Sequence, residues 1–194
     1  IMVMSTSPTF DANQLEEKWQ TWMEDENAPL LNRATQALYP PGSVTGGIIL
    51  ARFLSEYTPS TTVPAYPWTT VTGDLNYCAI QPGSDPGWGE LVSCGCVRAL
   101  STISRSSLLT DTLELYEEAG LYQDVELPLE SSSAVRPEVI AGHSDLYSGS
   151  AGILLSPVQV AVAAASLSNS GRVVSPHIAI AYSPNHNDWN LIEQ

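Results

Sequence analysis

Apolar residues recur at helical spacing in four stretches of this chain and in strand-like runs at its two ends. The first helical stretch lies within "FDANQLEEKWQTWMEDENAPL". Asp11 stands where a cap belongs, and Leu15, Trp19, Trp22 and Met23 line one side with acids opposite, which predicts a helix with a packing face. Residues 43–57 predict a second, strongly apolar helix. A helical block is expected from about Gly89 to Gly120, with Leu113, Leu115, Tyr116 and Ala119 facing inward and Gly120 as its C-terminal stop. "SPVQVAVAAASLSNSG" predicts the fourth helix, capped by Ser156, started by Pro157 and ended by Gly171. Strands are expected at residues 1–5 and 178–182, the latter within the extended run "RVVSPHIAIAY".

Breakers separate these elements. Residues 58–90 hold "TPSTTVPAYPW" and "QPGSDPGWG", which read as a long ordered loop with one short strand at "WTTVTG". "YQDVELPLESSSAVRPEV" reads as a second loop, and "DWNLIEQ" offers no evident closing element. No internal repeat is visible. At 194 residues the expectation is one domain spanning 1–194, long enough to bury a sizeable core. The opening run "IMVMSTSPTFD" reads as strand from its first residue, which suggests a piece of a longer polypeptide. Its few strands would then depend on a partner or on further sequence, because a lone strand pair is marginally stable.

Charge narrows the functional classes. Twenty-one acids against seven bases give a net charge of −14. That balance argues against a nucleic-acid backbone and against an anionic bilayer as partner. No apolar run reaches the length of a membrane span. Cys94 and Cys96 are too close together for the usual zinc spacing, and His143, His177 and His186 are scattered, so no metal or cofactor is expected. Three cysteines cannot all pair within the chain; a bridge from Cys78 to one of the other two and a set of plain thiols both stay open.

Chemistry concentrates at "LYPPGSVTGGIIL". Pro40 and Pro41 stiffen the approach, Gly42 allows a sharp turn, and Ser43 arrives at the start of the apolar helix. Such a placement can present a nucleophile, but a serine hydroxyl needs a base. Three residues on, at the neighbouring helical position, stands Gly46. Lys18 is the only lysine and lies upstream in the acidic first helix, and no Asp or Glu occurs between Leu30 and Glu56. Ser43 is thus a candidate working nucleophile, the remnant of one, or a helix cap.

"LNRATQALYPPGSVTG" resembles the active-serine segment of the penicillin-binding proteins, the serine D,D-transpeptidases that cross-link peptidoglycan, which read Pro-Gly-Ser-x-x-Lys here. "IMVMSTSPTFDANQL" is similar to the strand and Ser-Pro-x-Phe-Asp segment upstream of the serine in class B members. "AGLYQDVELPLE" looks like their Gly-Phe-Gly…Leu-Pro stretch, and "AGILLSPVQVAVAAASLSNSGRVVSPHI" like their Thr-Pro-Leu-Gln helix and Pro-His segment. The four segments keep the family's order across nearly the whole chain.

The resemblance implies an α+β fold, here a helical subdomain plus part of an antiparallel sheet. It implies cell-wall synthesis at the outer face of the cytoplasmic membrane, with stem peptides of peptidoglycan or division proteins as partners. It carries Ser43 onto the nucleophile. The second motif, Ser-x-Asn, finds its nearest match at Ser93-Cys94-Gly95, which makes Ser93 the second-motif serine and puts Gly95 in place of asparagine. The lysine position is Gly46, and no Lys-Thr-Gly occurs. These departures imply a catalytically degenerate member, a non-catalytic scaffolding module of the envelope. The alternative is part of an active enzyme completed by further sequence.

Overall fold

The computed structural model describes residues 1, 3–56, 63, 66–74, 76–104, 109–137, 152–179, 181–184 and 188–192. Its described helices are α1 (Leu15–Met23), α2 (Gly46–Glu56), α3 (Trp88–Ser93), α4 (Val97–Ser104), α5 (Leu109–Glu118) and α6 (Pro157–Ser168), with a short antiparallel pair of strands, β1 (Ala181–Tyr182) and β2 (Asn190–Leu191). Tyr57 at the expected end of the second helix, and Ile180 within the expected strand 178–182, lie outside the described residues. The result is an α+β arrangement, rich in helix, with α3, α4, α5 and α6 all packed around α2.

The sequence explains why α2 is central. Ile48, Ile49 and Phe53 recur at helical spacing and are buried among Tyr116, Ala119, Leu121, Ile153, Leu155 and Ala163. Burying each large side chain of this kind contributes roughly 1.5–3 kcal/mol. The buried Tyr116 hydroxyl donates to Thr45 Oγ1 at 3.1 Å, so α5 grips the turn that feeds α2. A second cluster, Cys78, Leu91, Cys96 and Ala99, is covered by Val63, Trp68 and Cys94. Trp88 borders both clusters and meets Phe53 edge-on at 5.7 Å between centroids.

The helix ends follow their caps. Ser156 and Gln159 form a reciprocal capping box at the start of α6, and Pro157 takes the first turn. The fully buried Ser156 Oγ donates to Gln159 Oε1 at 3.0 Å. After α6, the Gly171 amide donates to the Ser166 carbonyl at 2.9 Å with φ +78°. Gly120 closes α5 at φ +82°, with the Val173 side chain 2.8 Å from where a Cβ would stand.

Four elements differ from their sequence expectation. The block 89–120 is divided into α3, α4 and α5, because Gly95 turns the chain at φ +66° between the first two. Helix α1 buries no residue: Trp19 is 49% and Met23 58% exposed, while Trp22 is half-buried and meets Phe10 at 5.5 Å between ring centroids. Residues 1 and 3–6 form no strand; the Ile1 amine donates to the His177 carbonyl, and Thr6 is held through its hydroxyl, which donates to the Leu31 carbonyl at 3.3 Å and accepts from the Arg33 amide at 3.2 Å. Asn190–Leu191, in the stretch expected to close nothing, supplies the strand that pairs with Ala181–Tyr182.

One buried polar group yields a testable consequence. The Tyr122 hydroxyl is buried and has no hydrogen-bond partner among the described residues. Burial pushes this phenol up to about 12; Arg136, stacked 4.7 Å from the ring centroid, opposes the shift and Glu117 adds to it. The folded chain therefore keeps this proton after the unfolded chain has lost it, so stability should fall as pH rises from the ordinary value of about 10 towards 12. Tyr122→Phe should flatten that alkaline slope in urea melts, while at neutral pH it should leave stability unchanged or raise it by up to ~1 kcal/mol.

Candidate functional site

The approach to Ser43 is fixed from both sides. Tyr39 and Leu155 exchange both backbone hydrogen bonds at 2.9 Å, and the Val158 amide donates to the Ala34 carbonyl at 3.0 Å. Fully buried Thr35 donates through Oγ1 to the Glu130 carbonyl at 2.8 Å and accepts at its own carbonyl from the Ser132 amide. The chain then turns at Gly42, φ +59°, a conformation that costs an L side chain about 1 kcal/mol or more. Gly42–Thr45 form one 3-10 turn, and α2 begins directly after it.

Ser43 is half-buried in that turn. Its carbonyl accepts from the Gly46 amide. The N-cap of that turn is Pro41, so Ser43 lies inside the turn, two residues past its cap. Gly46 is buried at the first position of α2. Lys18 is exposed on α1. Arg33 does not serve the site either: its guanidinium donates to the carbonyls of Ala28, at 3.1 Å, and Leu31, at 3.5 Å, and so braces a loop. Arg52 sits nine residues beyond Ser43, which is roughly 13 Å along a helix, and lines a groove with Ser55, Glu118 and Ser170.

The chain does bring the expected second-motif segment to Ser43, but through a different residue. The Ser93 hydroxyl is exposed and donates to the Gly89 carbonyl at 2.7 Å, back along its own helix. Gly95 is the contact: a Cβ built there would lie 2.8 Å from Ser43 Oγ and 3.2 Å from the Ala79 methyl. Loop residues 77–80 run antiparallel to 94–97. The Val97 amide donates to the Tyr77 carbonyl at 3.3 Å and the Ile80 amide to the Cys94 carbonyl at 3.1 Å. Cys78 and Cys96 stand opposite each other between these bonds and form a disulfide. The disulfide lies in the cluster with Leu91 and Ala99, while Gly95, next to it in the chain, lies beside Ser43 Oγ and the Ala79 methyl. Of the two cysteine readings, the bridge is the one formed, with Cys94 left as a free thiol.

A family model, the penicillin binding protein transpeptidase domain, matches residues 1–190. The chain belongs to the penicillin-binding protein transpeptidase family. Peptidoglycan D,D-transpeptidase PbpA of Mycolicibacterium smegmatis is 29% identical over 197 residues, covering 92% of this chain and 40% of that relative. Penicillin-binding protein A of M. tuberculosis, solved as a penicillin G acyl-enzyme complex, superposes with a TM-score of 0.67 at 25% identity, over 92% of this chain and 45% of its own. Penicillin-Binding Protein (PBP2) of Helicobacter pylori, in complex with MreC, shares the fold with a TM-score of 0.73 at 22% identity, over 96% of this chain and 38% of that one. The chain thus spans less than half the length of the transpeptidases it resembles.

In the motif reading of the sequence, two positions diverge, Gly46 where the first motif has lysine and Gly95 where the second has asparagine, while Ser43 keeps the Pro-Gly-Ser turn. Sequence reasoning reached Ser43 and Ser93. It passed over Ala79, and the signal for it lay in cysteine spacing: a Cys78–Cys96 bridge forces residue 79 opposite residue 95.

Proposed function

We propose that this chain is a non-catalytic transpeptidase-family module of the bacterial cell envelope, acting in peptidoglycan synthesis as a scaffold. The observation that carries this reading is the emptied chemistry around a preserved serine turn. Ser43 is delivered by an anchored Pro-Pro-Gly approach, yet no lysine accompanies it and a glycine backbone abuts its hydroxyl. Without a base the hydroxyl stays protonated and is a poor nucleophile. Loss of a general base commonly costs 10²–10⁴-fold in rate, and more when base and nucleophile act as a unit.

Partners follow from the relatives. A homologue bound to MreC and another in a peptidoglycan synthase complex support cell-wall proteins as the contacts of this scaffold. Among the described residues no helix is long and apolar enough to cross a membrane. A stem peptide is the less favoured contact, because Arg33 is committed to loop carbonyls and Arg52 lies well along α2, away from Ser43. Calorimetry with a peptide ending in D-Ala-D-Ala should show no saturable heat. Saturable micromolar binding would contradict the scaffold reading.

A further inference from the structure

We propose that the Cys78–Cys96 disulfide is a lock on the serine site, holding loop 77–80 and residues 94–97 together so that Gly95 stays against Ser43. The inference rests on Ser43 being the serine of the family motif, and it adds a conformational control that the missing lysine does not supply.

The argument is one of geometry. The ladder is short, with one backbone hydrogen bond on each side of the disulfide. Among the described residues the loop that leads into it is tied by the Thr69 amide to the Asn76 carbonyl at 3.2 Å, the Cys78 amide to the Thr69 carbonyl at 2.8 Å, Gln81 Nε2 to the Trp68 carbonyl at 3.2 Å, the Gly83 amide to Glu90 Oε1 at 2.7 Å, and Arg98, which bonds Asn76 Oδ1 at 2.6 Å and stacks 3.9 Å from the Tyr66 ring centroid. Stretches with few buried contacts open locally at low cost unless cross-linked. Both sulfurs belong to fully buried residues, in a cluster with Leu91 and Ala99. A reductant reaches them only through prior opening of the loop. The bridge is therefore a lasting lock set on folding. Opening it takes two electrons and two protons from a dithiol, which itself becomes a disulfide and leaves two protein thiols.

What the lock controls is set by the residue next to it. Gly95 lies between Ser43 Oγ and the Ala79 methyl, so close to both that an added Cβ would be 2.8 Å from the first and 3.2 Å from the second. With the bridge gone, only the two flanking hydrogen bonds and the loop ties keep Gly95 in place. Ser43 then becomes open to solutes.

The experiment labels position 43 without requiring any catalysis. Ser43→Cys with Cys94→Ser leaves one free thiol beside the intact disulfide. Adding Cys78→Ala and Cys96→Ala removes the lock. Alkylation by iodoacetamide, followed by peptide mass, should run about fivefold or more faster at position 43 in the unlocked chain, because local opening becomes frequent. Equal rates in two folded chains would overturn the proposal. If the unlocked chain loses its far-ultraviolet dichroism, the Ser43→Cys, Cys94→Ser chain labelled before and after reduction by a phosphine decides instead: two thiols keep the buried volume that alanines lose, the rate at position 43 should rise about fivefold on reduction, and equal rates would overturn the lock. A penicillin adduct on the unmodified chain would refute the non-catalytic reading and leave this comparison unaffected.

Discussion

Gly46→Lys is expected to destabilise the fold by about 3 kcal/mol and to leave Ser43 unacylated by penicillin. Gly46 is buried where α2 leaves the serine turn. The next residues are Gly47, Ile48, Ile49 and Leu50, and no carboxylate occurs between Leu30 and Glu56 to pair with an ammonium. A charge brought there without a partner is costly, and the gain of up to ~1 kcal/mol from replacing a helical glycine only partly offsets it. For a chain of this length that corresponds to a melting temperature lower by roughly 8 °C. Chemistry would still be incomplete. An asparagine at position 95 would place a side chain on a backbone at φ +66°, with its Cβ 2.8 Å from Ser43 Oγ and 3.2 Å from Ala79. Ser43 or Ala79 would have to move to admit it. Thermal melts and intact mass of the Gly46→Lys chain check both halves of the expectation, and an unchanged melt would mean that the position is not sealed from solvent.

Removing the bridge has the second large effect. Cys78 and Cys96 are separated by 18 residues. Closing a loop of this length restricts the unfolded chain by about 3 kcal/mol in the entropic model. Cys78→Ala with Cys96→Ala should lower the urea midpoint by a corresponding amount, and the loss should vanish when both chains are compared under strong reductant. Removing Cys94 alone should change little, because it bonds to no other cysteine and is only half-buried. A Cys94→Ser loss as large as that of the bridge would contradict the pairing.

Much of this fold was legible because caps and periodicity are local. Ser156, Pro157 and Gly171 mark α6, and the apolar run after Ser43 marks α2. Periodicity says which side of a helix is apolar but not whether anything covers it, so the Trp19 and Met23 side of α1 was expected to pack and is exposed. The α3–α4 break was hidden because Gly95 turns the chain only in the context of Ala79 and the bridge, which are distant in sequence. The same holds for the site. Pro-Pro-Gly-Ser announces Ser43, whereas the residue that meets its hydroxyl comes from a ladder whose register depends on which cysteines pair. Asn190–Leu191 carry no strong strand signal and pair because β1 lies alongside them.

The account turns on Ser43, and exposure of the unmodified chain to labelled penicillin tests it most directly. Intact-protein mass spectrometry with peptide mapping should find no lasting adduct, since glycine stands at position 46 where the motif has lysine and Gly95 lies against the hydroxyl. A stoichiometric adduct on Ser43 would contradict the non-catalytic reading and establish an active serine.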